Sequence, residues 1–280
     1  MTKGHFAWLA NLRECKKLGT TNFANYTNLK EHGMAEIVNI DQLPETAAKK
    51  IRPYLENMIE LLGNNLITAA VYGSAVTGDY SEKRSDINLI LVCEDVDLST
   101  LKKSLKLVAK GSRERITAPL FFTRRYIETS ADVFPIEFLE IKENHLVLYG
   151  EDILAGITVD LKNLRYQCEE QIKGKLVRIR QAYLEVGLKK KGVEALLKRS
   201  LSSLMPVFRN VLRLKGEAPP RSKSEILEKL ADVFELDEGI FLTIWEDKQN
   251  DEKIGGEAAE VYLEKYLLQL DKLATAVDSI

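Results

Sequence analysis

Two short runs carry the residues best suited to chemistry. In the first, Ile67-Thr68-Ala69-Ala70-Val71-Tyr72 leads into Gly73-Ser74. In the second, Ser85-Asp86-Ile87-Asn88 opens the apolar run Leu89–Val92. A glycine at the end of a strand lets the backbone approach a ligand closely, and the amides beyond such a turn can gather around an anion. Side chains at i and i+2 of a strand share one face, so Asp86 and Asn88 point the same way. A carboxylate and an amide oxygen on one face are ligands of the type that hard divalent cations accept. Together the two runs read as a phosphate-binding turn beside a cation-binding strand.

The elements needed to position them are legible around them. Pro44 to Leu62 has helical spacing, with Ile51, Tyr54, Leu55, Met58, Ile59 and Leu62 on one side and Gly63 as a stop. Strands are expected over Ile67–Tyr72 and Ile87–Val92. An amphipathic helix follows over Leu98–Ala109, with Leu98, Leu101, Leu105 and Leu107/Val108 on one side. Then come a strand near Ala118–Phe122, a helix over Arg124–Ser130 and a further strand over Phe134–Ile141. In that last strand Phe134, Ile136 and Phe138 would share the core face, with Glu137 on the other. From about Leu154 the pattern changes to long helices, with Pro206 expected to kink or break one of them. The predicted fold class is α+β: an N-terminal arm over residues 1–40, a mixed-sheet domain over 41–154 and a helical bundle over 155–280.

The runs from Gly73-Ser74 through Gly78-Asp79 to Ser85-Asp86-x-Asn88 resemble the nucleotidyltransferase signature of the polymerase-beta type, as in small bacterial antibiotic-modifying enzymes. The likeness covers about residues 45–150. It implies that Gly73 and Ser74 hold the phosphates of a nucleoside triphosphate, with ATP the expected nucleotide. Asp86 matches the first metal ligand and a catalytic acid, and Asn88 stands where the family has a second acid. Glu137 corresponds to the third acid, as metal ligand or acceptor of the substrate proton. Mg2+ or Mn2+ is the implied cofactor, because two such cations clamp the attacking and leaving oxygens in this chemistry. Lys83 and Arg84 read either as phosphate contacts or as solvated loop charges. The implied activity is transfer of a nucleoside monophosphate to a hydroxyl. Asn88 opens a second reading, a nucleotide-binding or regulatory protein on the same fold, because a neutral amide weakens a metal site.

Composition narrows the partners. The chain has 280 residues and a net charge of −2, so no global field points to nucleic acid or a membrane. The distribution is uneven: Gln171–Lys215 holds twelve Lys and Arg against two Glu, a net +10, and the remainder carries −12. A basic stretch of this kind suits an anionic acceptor, RNA included, better than a polycationic aminoglycoside; the alternative is a solvated helix face balanced by the acidic C-terminal helices. Cys15, Cys93 and Cys168 are far apart and form no CxxC pair, which argues against a disulfide framework or zinc site. With no signal-like or membrane-length apolar run, a cytoplasmic protein is expected.

Overall fold

The computed structural model describes residues 36–280 apart from Asp79, Arg84, residues 189–191, residues 251–253 and Gly255. Most of the expected N-terminal arm therefore lies outside the described residues. The last part of that arm runs along the sheet edge: Val38 N–H donates to Leu148 O at 2.9 Å and Asn39 Nδ2 to Val147 O at 3.0 Å.

The described residues form an α+β protein with two compact units. The first comprises the described residues up to Ser130 together with Glu137–Ile157. In it α1 (Glu45–Leu62) precedes β1 (Leu66–Tyr72), then the short α2 (Ser74–Thr77), β2 (Asn88–Cys93), α3 (Leu98–Arg113), β3 (Leu120–Thr123) and α4 (Arg124–Ser130). Next come α5 (Pro135–Glu143) and β4 (His145–Gly150). The sheet order is β3-β2-β1-β4, with β1 antiparallel to both β2 and β4 and β2 parallel to β3. The inner strand β1 is almost wholly buried, which is why its sequence is a continuous apolar run rather than an alternation.

Helix α1 buries the stripe its spacing announced, and Gly63 ends it at φ 51°. Helix α3 sits differently from expectation. Leu98, Leu101 and Leu105 are exposed, while Ser104, Leu107, Val108 and Gly111 turn inward. The reason is the close approach of α1. A Cβ on Gly111 would lie 2.5 Å from Tyr54 Cε2, so the glycine side of α3 is the side that fits against the Tyr54 ring.

The strand expected over Phe134–Ile141 is not formed. Residues 135–143 are the helix α5, and the fourth strand is His145–Gly150 instead. Alternation over eight residues does not separate a strand from a buried helix turn. Pro135 occupies a first helical position, where its missing N–H costs nothing, and Ile136, Glu137, Phe138 and Ile141 are all buried. Phe138 packs on Phe122 of β3 with ring centroids 6.0 Å apart.

The second unit, Ala131–Ile136 with Thr158–Ile280, is helical. It contains α6 (Leu161–Val186), α7 (Gly192–Leu214), α8 (Lys223–Phe234), α9 (Glu238–Asn250) and α10 (Gly256–Asp278). Helix α7 runs through Pro206 without interruption, and Asn210 Nδ2 donates to the Pro206 carbonyl at 2.8 Å. Phe208, Phe241 and Tyr266 interlock edge to face at its centre. No helix among the described residues is long and apolar enough to cross a membrane.

Gly150 is a sensitive point of the sheet. Its φ is 78°, and a Cβ there would sit 1.8 Å from the Ile67 carbonyl oxygen. Gly150→Ala is expected to destabilise the first unit by at least ~2 kcal/mol, through strain and loss of the β1–β4 end pairing. Chemical denaturation monitored by circular dichroism reads this directly; a variant as stable as the parent would contradict the pairing.

Candidate functional site

The site is built where β1 ends. Antiparallel pairing sets Tyr72 opposite Asn88 on one side and opposite His145 on the other. Gly73 follows at φ 79°, ψ −145°, a conformation that only glycine adopts without strain. Its own N–H is used, donating to the Asn144 carbonyl at 3.1 Å. Its carbonyl accepts from Val76 and Thr77 at 2.8 and 3.1 Å. The first-turn amides of Ser74 and Ala75 are the donors that an anion at this turn would meet.

Asn88 lies directly beside the turn. A Cβ on Gly73 would stand 3.3 Å from Asn88 Nδ2, so the amide nitrogen faces the glycine. Its Oδ1 is turned the other way and accepts from Thr117 Oγ1 at 3.1 Å. Thr117 is held in turn by its backbone, donating from its N–H to Ile87 O at 2.9 Å. Asn88 thus offers the turn a hydrogen-bond donor.

Asp86 is about half exposed and forms an ion pair, its Oδ1 lying 3.1 Å from Arg115 Nη2. Arg115 does more than neutralise it. Its Nη1 donates to Lys83 O at 2.7 Å and its Nε to Ser85 O at 3.2 Å. Its own backbone is left-handed, φ 64°, and its carbonyl accepts from Ile87 N–H at 2.9 Å. Ser81 and Ser85 close the same loop, through Ser85 N–H to Ser81 O at 2.7 Å and Ser81 N–H to Ser85 Oγ at 2.9 Å. The Lys83 side chain is exposed, while Arg84 lies outside the described residues.

Glu137 is 8% exposed in the first turn of α5. The strand parity that puts Glu137 on the face away from Phe134, Ile136 and Phe138 does not apply to a helix. Parallel pairing of β2 with β3, extended by the Ile87–Ile116 bridge, brings the neutral Thr117 to Asn88 instead. Among the described residues no three His, Cys, Asp or Glu side chains come together as a metal-binding group. The donor set does not fit a pair of divalent cations: one carboxylate is paired with a guanidinium and the amide oxygen beside it is turned toward a threonine hydroxyl.

Three contributors were not legible in the sequence. Arg115 lies about thirty residues from its partners, with no motif around it. Thr117 is one threonine among many. His145 opens β4 with its side chain nearly buried, its Nδ1 lying 3.0 Å from the carbonyls of Ile141 and Lys142 at the end of α5 and its Nε2 3.0 Å from Asp152 Oδ1. Cys93 is buried at the end of β2, and burial pushes its thiol up to about 11, which makes it an unreactive core residue.

No protein-family model matches the chain, and no curated protein matches it either.

Arg115→Gln tests the clamp. Loss of its two backbone bonds is expected to lower stability by about 1–2 kcal/mol, the half-exposed ion pair adding little. Removing the guanidinium also leaves Asp86 without its neighbouring cation. Manganese binding followed by electron paramagnetic resonance should therefore tighten in the variant. An unaltered affinity and melting point would show that Arg115 does not govern Asp86.

Proposed function

We propose that the first unit binds the phosphates of a nucleoside triphosphate at the Gly73–Ser74 turn, on a nucleotidyltransferase-like arrangement adapted to binding rather than to two-metal transfer. The observation that carries this reading is the orientation of Asn88, whose Nδ2 faces Gly73 while its Oδ1 is bonded to Thr117. A carboxylate at this position would repel phosphate unless a cation stood between them. An amide nitrogen attracts phosphate with no cation present. The Ser74 and Ala75 amides add donors from the same turn, and the exposed Lys83 supplies a nearby positive charge.

Calorimetric titration of ATP in EDTA and in Mn2+ tests this. ATP should bind in both, with affinities within about threefold of one another, and Gly73→Ala should weaken binding roughly tenfold by straining the turn and crowding Asn88. No ATP binding in either condition, or binding indifferent to Gly73→Ala, would overturn the reading.

A second reading is favoured by the half-exposed side chain of Asp86, two residues from Asn88 at the start of β2. On this reading a single Mg2+ or Mn2+ arriving with the nucleotide would meet Asp86, and transfer of a nucleoside monophosphate to a hydroxyl acceptor would be retained. The two readings part at Asn88→Asp. If the site is built for binding, the added charge should weaken ATP in EDTA and restore it only with Mn2+, without pyrophosphate release. If it is a transferase that has lost one ligand, pyrophosphate release with Mn2+ should rise above that of the parent.

A further inference from the structure

The net +10 of residues 171–215 is only partly neutralised within the second unit. Lys173 pairs with Glu169 on its own helix and with Asp278 of α10. Lys198 pairs with Glu194 and, at 3.0 Å, with the buried Asp247 of α9. These pairs belong to the bundle's own fabric. Others do not: among the described residues neither Arg178 nor Arg199 has a carboxylate within ion-pairing distance.

Several cations without a carboxylate partner among the described residues share one face, formed by α6, α7 and α9. Ser202 and Ser203 are consecutive on α7, and each accepts a lysine from a different flanking helix. Lys175 of α6 donates to Ser203 Oγ at 2.7 Å, and Lys248 of α9 donates to Ser202 Oγ. Arg199 is exposed one turn earlier on that same side of α7, and Arg178 is exposed one turn after Lys175. Trp245 lies at the α9 end, with Lys248 Nζ 5.2 Å and Lys223 Nζ 5.8 Å from its ring. Burial, then the guanidiniums of Arg178 and Arg199, hold the Lys175 ammonium below the ordinary lysine value. Burial, then Lys223, does the same to Lys248. Like charges held together in this way are relieved by an anion that spans them.

We propose that this face of α6, α7 and α9 binds single-stranded nucleic acid, with Arg178, Lys175 and Arg199 along the phosphates and Trp245 stacking on a base. The spread of the cations over three helices suits a chain of phosphates better than one compact anion. Trp245 beside these cations distinguishes a nucleic acid from a plain polyanion, because every base has a face on which an indole stacks. The surface lies wholly within the second unit and is independent of the Gly73 turn.

The test is fluorescence anisotropy of the full chain with a labelled oligouridylate and its deoxy counterpart over a salt series, with heparin as a charge-only probe. The parent should bind an oligonucleotide with affinity that falls as salt rises and with quenching of tryptophan emission. The Arg178→Ala/Arg199→Ala variant should bind roughly tenfold more weakly and lower the salt slope by about 1.4, the share of two single-strand phosphates. Trp245→Phe should abolish the quench. The circular dichroism melt of the arginine variant should stay that of the parent, since both side chains are exposed. If that variant melts early, Arg178→Lys/Arg199→Lys, which keeps the charge, must recover binding. The ribo and deoxy arms say which backbone is preferred, and tight binding of either supports the proposal. Absence of oligonucleotide binding, affinity indifferent to the arginine changes, or heparin binding with no quench by either oligonucleotide would each overturn it.

Discussion

Arg115 is the residue on which the first unit's site depends. Among the described residues the loop between α2 and β2 closes on itself only through Ser81 and Ser85. It is tied to the body by a guanidinium that grips the carbonyls of Lys83 and Ser85 and the carboxylate of Asp86. The left-handed backbone of Arg115 makes this possible by ending α3 sharply and turning the chain back toward β2. Two residues later Thr117 continues the same work, pairing with Ile87 and fixing the rotation of the Asn88 amide. Three consecutive residues, Arg115 to Thr117, thus decide where β2 begins and which way its polar side chains face.

That support changes what Asn88 means. Taken alone, asparagine in place of an acid is a weakened metal ligand, since its carbonyl oxygen can still coordinate a hard cation. With Thr117 donating to that oxygen, the coordinating atom is engaged and the nitrogen is presented to the turn. The same substitution then reads as a gain of donor capacity toward an anion. Arg115 acts in the same sense at Asp86, because a permanent cation already occupies one side of the carboxylate that a metal would use.

Much of the frame was legible because it rests on local rules. The stripe of α1, its glycine stop, the buried run of β1, the apolar β2 and the helix Arg124–Ser130 all follow from spacing and punctuation. The failures have physical causes. Phe134–Ile141 alternates, yet Pro135 and near-complete burial make it a helix, and the strand role passes to His145–Gly150, whose side chains are mostly only half-buried. The spacing puts Leu98, Leu101 and Leu105 on one side with Leu107/Val108, but the fit of Gly111 against Tyr54 decides which side of α3 meets the core, and only Leu107 and Val108 reach it. At the site, the Gly73 turn at the end of β1 was readable, but Asp86 falls before β2 rather than within it, and the Arg115 clamp and the Thr117 bond were not readable. A long-range side-chain contact leaves no periodicity behind.

The two units handle charge by different means, and this bears on how each meets an anion. At the Gly73 turn the donors are mostly neutral amides, backbone and side chain, held in place by hydrogen bonds whose strength salt barely alters. On the second unit the donors are cations, and those already paired with carboxylates, such as Lys198 with Glu194 and Asp247, are consumed in holding α7 to α9. Lys175 and Lys248 keep hydroxyl partners, and Arg178 and Arg199 have no carboxylate partner among the described residues. A hydroxyl orients an ammonium without cancelling its charge, so Ser202 and Ser203 position Lys248 and Lys175 while leaving their field intact. An anion held at the first unit should therefore depend on shape and little on ionic strength, while one held on the second should depend strongly on ionic strength, and the separation follows from the donor chemistry alone.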